Sequence, residues 1–177
     1  MISGIYGQFR VADADDAETL CACYRSSEPR GARLDGKREP LLPTLDELRE
    51  TLARMEGGAA QFYAAEDLEG EARLFFALRR ARHEARFGEF ALFYTDAALL
   101  QLPLAEELVT FIRKRAFEEM NLNKMTAQAL DTEETLRAFF LRQGWRSQGR
   151  MRDAVYARGR WHALDAFALF AAPPTES

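Results

Sequence analysis

Apolar and polar residues alternate along the chain with two different periods, which separate predicted helices from predicted strands. Apolar residues three and four positions apart indicate an amphipathic helix at 17–24 and another at 45–55, the second opened by a capping box of Thr44 and Glu47. Residues 5–11 predict a strand before the first helix. From residue 60 the pattern becomes that of extended chain, in three stretches with short turns that predict an antiparallel meander.

The second half of the chain is organised around the stretch Gly88–Met120. A strand, GEFALFYT, is followed by a connection, DAALLQLP, and then by an amphipathic helix over Leu104–Met120. The next strand, KMTAQAL, is reached through that helix, which predicts a parallel, right-handed crossover. The meander and the crossover would therefore share one sheet.

One more helix and two more strands are predicted after the crossover. A capping box of Asp131 and Glu134 opens the helix, and Gly144 ends it. Together the elements indicate an α+β (α/β) protein, with a central mixed, mostly antiparallel sheet of about seven strands flanked by about four helices. We expect one domain over residues 1–171 and a disordered tail at 172–177.

Composition and charge narrow the class of protein. Hydrophobic residues make up 47% and charged residues 29%, and the net charge of -4 attracts neither nucleic acid nor an anionic membrane. No apolar run approaches the ~20 residues that cross a bilayer, and the start, MISGIYGQFR, lacks the features of a signal peptide. We therefore expect a cytoplasmic protein with no nucleic-acid or membrane partner. Cys21, Cys23, His83 and His162 are too few and too scattered to predict a metal site.

Few residues stand out as candidates for chemistry. Glu89 is the only carboxylate inside the strand GEFALFYT, where a solvent-facing strand residue is the simplest interpretation. Tyr63 and Tyr94 could act as acids, although tyrosine in strands more often packs. His162 has no nucleophile or carboxylate pattern beside it. The polar loop Ser26–Pro43, basic in its middle, is either a solvated loop or a flap over a substrate.

Two blocks in the second half of the chain carry a resemblance to a known family. Residues 116–124, AFEEMNLNK, are similar to a block like A-F-E-E-L-G-L-N-K. Residues 144–161, which begin GWRSQGRMR, are similar to a block like G-F-x-x-E-G-x-x-R-x-x-x-x-x-x-G-x-W. With the order of elements, these blocks resemble the ribosomal-protein-alanine acetyltransferase branch of the GNAT superfamily. The resemblance implies the GNAT fold and the transfer of an acetyl group from acetyl-CoA to a primary amine.

The resemblance also implies which residues would hold acetyl-CoA. The backbone of Leu92, Phe93 and Tyr94 would meet the pantetheine arm of the cofactor. Leu104 and Ala105 would lie at the helix N-terminus that faces the pyrophosphate, where backbone N–H groups bind anions. The family's general base is commonly a glutamate on or near the same strand, so the resemblance implies that Glu89 is the candidate general base.

Several positions depart from the family pattern. The family's phosphate loop, Q/R-x-x-G-x-G/A, falls on Leu100–Ala105, where Leu100 has no side-chain donor and Pro103 has no N–H. Glu133 stands in place of an asparagine that usually helps to bind the cofactor. Phe140 stands in place of a tyrosine that protonates the departing thiolate, and a phenyl ring has no proton to donate. We therefore expect that pyrophosphate is not held here in the usual way.

Two functions stay open at this point. The first is an acetyltransferase with an altered cofactor loop, acting on a small-molecule or peptide amine. The second is a non-catalytic GNAT-fold protein, in which the apolar stretch Leu99–Leu104 serves a protein partner, a second copy in a homodimer or an apolar ligand. The same leucines would otherwise be covered by the protein's own core.

Overall fold

The computed structural model describes residues 2–26, 43–54, 60–82, 85–157 and 159–171. Residues 27–42 of the predicted loop, His83 and the predicted tail at 172–177 lie outside the described residues. Within those ranges, no helix combines the length and the apolar character that crossing a membrane requires. The same ranges contain no group of three or more His, Cys, Asp or Glu side chains that could hold a metal ion.

Eight strands and four α-helices form in the described residues. The strands are β1 (Ile2–Ser3), β2 (Gln8–Val11), β3 (Ala60–Glu66), β4 (Ala72–Arg82), β5 (Phe87–Tyr94), β6 (Lys124–Leu130), β7 (Arg146–Ala157) and β8 (Arg160–Phe170). The α-helices are α1 (Ala17–Ser26), α2 (Leu45–Arg54), α3 (Pro103–Arg113) and α4 (Glu134–Arg142). Short 3₁₀ helices precede α1 and α3, at Ala14–Asp16 and Ala97–Gln101.

All eight strands belong to one sheet, in the order β1-β2-β3-β4-β5-β6-β8-β7. The meander β3-β4-β5 is antiparallel as predicted, and β6 pairs parallel to β5 after the crossover through α3. Every other neighbouring pair is antiparallel. The predicted fold class is therefore confirmed. The sheet has one strand more than expected because the N-terminal segment forms two short strands.

The two faces of the sheet carry separate cores. Alternate residues of β5 point to opposite sides, as the pleat requires. Phe90, Leu92 and Tyr94 join the larger core with α3 and α4. Ala91 and Phe93 join the smaller core with α1 and α2. A ligand that reached β5 edge-on would therefore meet two different environments, one above and one below the sheet.

The strand predicted at Ile5–Val11 is wrong at its start. The N–H of Gly4 donates to the carbonyl of Gly7 at 2.8 Å, which closes a turn and delays the strand until β2. The carboxylate of Glu107 on α3 accepts two backbone N–H groups of this turn, at 2.5 and 2.9 Å. The turn is thereby fastened to α3, a contact between distant residues that local periodicity cannot reveal.

The helix predicted over Leu104–Met120 is α-helical only in its first part, α3. Pro103 takes its first position, where the missing N–H breaks no helical hydrogen bond. Lys114–Glu119 is a π-helix, closed by the N–H of Met120 donating to Arg115 five residues back at 2.9 Å. The apolar spacing predicts an inward face of five residues: Ala105, Val109, Ile112, Ala116 and Met120. The first four of them are buried.

The capping box predicted from Asp131 and Glu134 is wrong. Glu133 occupies the N-cap position of α4, and its carboxylate accepts the N–H of Leu130 at 2.8 Å. The carboxylate of Asp131 turns to β8, where it lies 3.2 Å from Nδ1 of the buried His162. The histidine thus has a carboxylate partner 31 residues away, which no local pattern could indicate.

Candidate functional site

The parallel strands β5 and β6 separate soon after they meet. They pair over three positions, Phe87–Glu89 with Lys124–Thr126. Both strands then continue, to Tyr94 and to Leu130, and these described residues form no pairs with each other. At ~3.3 Å per residue, the parts of β5 and β6 that do not pair with each other run for roughly 13 to 17 Å. We call this gap the strand opening, and its apex lies at Glu89.

An aromatic cluster lies at the apex, on the side of α4. Phe140 of α4 is 1% exposed, and its ring centre lies 5.1 Å from that of Trp145, 5.2 Å from Phe167 and 6.3 Å from Phe90. Phe90 is the first residue of β5 beyond its last pair with β6, which places the cluster at the apex. Phe140 faces inward, so the apolar ring itself occupies the position where the resemblance implies a proton donor.

The same cluster contains a buried donor without an acceptor. The indole Nε1 of Trp145 is fully enclosed and has no hydrogen-bond partner among the described residues. An unsatisfied buried donor costs about 1–3 kcal/mol, which makes it a feature to be explained. Sequence reasoning missed this group. The available signal was a tryptophan at the position where the family block has phenylalanine.

Glu89 lies at the apex on the opposite face of the sheet from Phe90. Its carboxylate is 41% exposed and accepts a hydrogen bond from Nε of Arg79, directly across on β4, at 2.9 Å. The strand register is irregular next to Glu89, because the register of β4 shifts at 80–82, opposite 87–88. The role of Glu89 as a base stays a prediction, and it would require an amine to displace Arg79.

The connection expected to hold phosphate forms the 3₁₀ helix Ala97–Gln101. Asp96 caps it, because its carboxylate accepts the N–H of Ala98 at 2.8 Å. Three further N–H groups donate to carbonyl oxygens three residues back at 3.0–3.2 Å: those of Leu99, Leu102 and Ala105. The backbone donors of this connection are thus largely used inside it.

The leucines of this connection lie in different environments. Leu100 and Leu104 are 0% and 4% exposed in the larger core, whereas Leu102 is 45% exposed. The carbonyl of Leu100 also accepts Nη2 of Arg142 at 2.9 Å, and Nε of Arg142 lies 3.9 Å from the carboxylate of Glu106. Arg142 therefore ties α4 to the 3₁₀ helix and to α3. Most of the predicted apolar surface is covered by the protein's own core.

The residues predicted to contact a cofactor border the strand opening or follow it in the chain. They are Leu92, Phe93, Tyr94, Leu104 and Ala105. The first three pair with β4 on one side and leave their other edge towards the opening. The carbonyl of Tyr94 accepts the hydroxyl of Ser26 at 3.1 Å, and the N–H of Ala105 is already bonded. Their contact with a cofactor stays a prediction.

Two other groups of titratable residues have structural partners. Tyr63 is buried, stacks on Phe76 at 4.9 Å, and its hydroxyl accepts Nε of Arg115 at 3.0 Å. Asp165 on β8 accepts two N–H groups of Arg150, at 2.6 and 2.8 Å, and lies 2.7 Å from Nε of Arg137. The hydrogen bonds from Arg150 hold the pKa of Asp165 below its usual value. These contacts account for the burial of both residues without a catalytic role.

Comparison with known proteins shows which fold the chain has. No family model matches the chain, and no curated protein matches its sequence. The spermidine N-acetyltransferase from Vibrio cholerae, solved with CoA and spermine, matches with a TM-score of 0.79 and 15% identity over 95% of this chain and 97% of that one. Its dodecameric form in an intermediate state matches with a TM-score of 0.76 and 15% identity over 95% of each chain. The chain has the GNAT fold.

The level of identity limits what the GNAT fold says about activity. At 15% identity the fold is shared, while substrates depend on residues that differ. These structures show the fold alone, so the superfamily of the resemblance and its ribosomal-protein-alanine branch stay predictions. The chemistry of this protein has to be argued from the strand opening itself.

Proposed function

We propose that this GNAT-fold protein is an acyltransferase that moves an acetyl group from a thioester, with acetyl-CoA as the reference donor, to a primary amine. The strand opening supports the proposal most directly. It places two strand edges that do not pair with each other beside an extended amide-containing chain, which can bind as an added strand does. At its apex a carboxylate lies on one face, that of Glu89, and an unsatisfied N–H on the other, that of Trp145.

The two faces suit the two halves of the reaction. A C–N bond forms between the amine and the acyl carbon, and the C–S bond breaks. Glu89 would accept the proton that the amine loses, and it faces the side of α1 and α2, where an acceptor would approach. Phe140 cannot return a proton to the thiolate, so the thiolate would take it from solvent.

Two classes of primary amine are candidates for the acceptor, a peptide N-terminus and a polyamine. The resemblance to the ribosomal-protein-alanine branch favours a peptide that begins with alanine, and the structural neighbours are spermidine acetyltransferases. Both compounds present the same reacting group. We therefore propose the reaction class and use one acceptor of each kind in the test.

The test incubates the full chain with millimolar acetyl-CoA and either spermidine or a peptide that begins with alanine. Thiol release and the mass of the acetylated amine are measured together. Glu89→Gln should lower the rate about 10²–10⁴-fold if Glu89 is the base. Glu71→Gln, an exposed glutamate in the β3–β4 turn, is the matched control and should leave the rate unchanged.

Donor binding gives a second measurement. A ligand at 100 times its Kd stabilises by about 2.7 kcal/mol, which at 2–4 °C per kcal/mol raises the Tm by roughly 5–11 °C. Absence of any acetylated amine together with an unchanged Tm at millimolar donor would overturn the proposal. Turnover that survives Glu89→Gln would overturn only the role of Glu89.

A second function is favoured by one observation. Leu102 stays 45% exposed beside Pro103, although its neighbours Leu100 and Leu104 are buried. In a non-catalytic protein, Leu102 would contact a partner or a second copy. The test is Leu102→Glu, compared with Leu141→Glu on the exposed face of α4, where the leucine is 56% exposed. A change of oligomeric state, measured by light scattering, with Leu102→Glu alone would support this function.

A further inference from the structure

We infer that the strand opening takes its donor by the pantetheine arm alone, so that a thioester without the nucleotide serves as well as acetyl-CoA. The inference rests on the proposed function and concerns the class of donor. It follows from which hydrogen-bond donors and charges the chain presents where the nucleotide pyrophosphate would have to be held.

Backbone N–H groups around the start of α3 already have acceptors within the protein. A pyrophosphate at a helix N-terminus needs N–H groups that point outwards and have no other acceptor. Before α3, the N–H of Ala98 donates to the Asp96 carboxylate at 2.8 Å. Those of Leu99, Leu102 and Ala105 donate to carbonyl oxygens at 3.0–3.2 Å. Pro103, at the first position of α3, has no N–H at all.

The charged side chains around the start of α3 disfavour a bound anion. The carboxylate of Asp96 already occupies the N-terminus of the 3₁₀ helix, where an anion would otherwise be attracted. Glu106 adds a second negative charge in the first turn of α3. The nearby cation, Arg142, donates to the carbonyl of Leu100 at 2.9 Å and lies 3.9 Å from Glu106. A pyrophosphate would therefore meet two carboxylates and an arginine that already has partners.

Packing opposes a rearrangement of the 3₁₀ helix Ala97–Gln101. The donors could be freed if the 3₁₀ helix unwound into an open loop. Leu100 opposes this, because its side chain is 0% exposed in the larger core and would be pulled out of it. The 3₁₀ helix is thus held closed by packing as well as by hydrogen bonds.

The arm of the donor faces a different surface. Beyond Glu89 and Thr126, the described residues of β5 and β6 form no pairs with each other, so a pantetheine arm with its two amide groups can lie between the two strands. Phe90 and Trp145 supply an apolar wall at the apex, with their ring centres 5.5 Å apart. The enclosed indole N–H of Trp145 would donate to the thioester carbonyl only when the aromatic cluster opens to admit it. Affinity would therefore come from the arm and the thioester, and the nucleotide would add little.

The test compares acetyl-CoA, S-acetyl-4′-phosphopantetheine and S-acetylpantetheine as donors to one amine. We expect the kcat/KM values of acetyl-CoA and S-acetylpantetheine to lie within threefold of each other. A preference for acetyl-CoA of tenfold or more, equivalent to about 1.4 kcal/mol of nucleotide binding, would overturn the inference and leave the proposed function standing. Lack of turnover with all three donors would overturn the proposed function instead.

A substitution at Asp96 tests whether its charge excludes the nucleotide. Asp96→Ser keeps a capping side chain and removes the charge, so the ratio of acetyl-CoA to S-acetylpantetheine should rise. Asp13→Ser is the matched control, because Asp13 caps the other 3₁₀ helix through the N–H of Asp15 at 3.0 Å, far along the chain from the opening. An equal ratio in both variants and the unaltered protein would count against Asp96 as a cause of nucleotide exclusion.

Discussion

Substitution of two leucines of the cofactor connection by alanine separates its core contribution from its surface. Leu100 is 0% exposed and Leu102 is 45% exposed, although they are two positions apart in the same segment. Leu100→Ala should lower the free energy of unfolding by about 3–4 kcal/mol, because it removes buried surface and leaves a cavity. Leu102→Ala should cost less than about 1 kcal/mol, since its side chain is already half in water.

Urea unfolding followed by far-UV circular dichroism measures both values. For a domain of this size the loss at Leu100 corresponds to a fall in Tm of roughly 6–16 °C, at 2–4 °C per kcal/mol. The m-value should stay constant, because neither variant changes the surface exposed on unfolding by much. Equal costs for the two variants, or a cost below about 1 kcal/mol at Leu100, would refute the closed 3₁₀ helix. The same outcome would remove one of the three supports for nucleotide exclusion.

Three further predictions concern the apex and the core. Phe140→Ala should lower the free energy of unfolding by about 3–5 kcal/mol because the ring is central to the aromatic cluster, and an undiminished value would show that the ring is dispensable there. Binding of S-acetylpantetheine should shift the indole N–H resonance of Trp145 and leave that of the exposed Trp161 in place. The Trp145 resonance is assigned by its loss in Trp145→Phe. A Trp145 resonance that does not move during turnover would contradict contact between Trp145 and the donor. Asp165 should stabilise the fold at pH values above its unfolded pKa of ~3.9, and this stabilisation should be lost as the pH falls through its lower pKa in the folded state. Asp165→Asn should therefore flatten the acid side of the curve of unfolding free energy against pH, and an unchanged acid side would contradict the pairing with Arg150.

Local sequence patterns were sufficient for most of the secondary structure. The capping box of Thr44 and Glu47 forms, with the Glu47 N–H donating to the Thr44 hydroxyl oxygen at 3.2 Å. Gly144 takes a positive φ of 82° after α4, as its place at the end of a helix requires. Such signals are reliable because donor and acceptor lie within one turn of each other.

Predictions failed where a distant residue competed for a local group. The carboxylate of Asp131 accepts a hydrogen bond from β8 and therefore does not cap α4. The turn of the N-terminal hairpin bonds to Glu107, about a hundred residues away. At the candidate site, the pairing of Glu89 with Arg79 depends on the register of β4 and β5. None of these contacts leaves a signal in the spacing of neighbouring residues.

The amino-acid sequence by itself determined the order of strands and helices and the residues missing from the cofactor loop, because periodicity, capping and the absence of a donor are properties of single residues and their neighbours. Only the tertiary structure decided how β5 and β6 separate, that Leu100 is core while Leu102 is surface, and that Arg142 reaches the carbonyl of Leu100. The indole N–H of Trp145 stands out only because it is buried and has no hydrogen-bond partner in the part of the chain that the structure describes. Burial and hydrogen-bond partnership depend on what the rest of the chain places beside a group, and that is settled by packing.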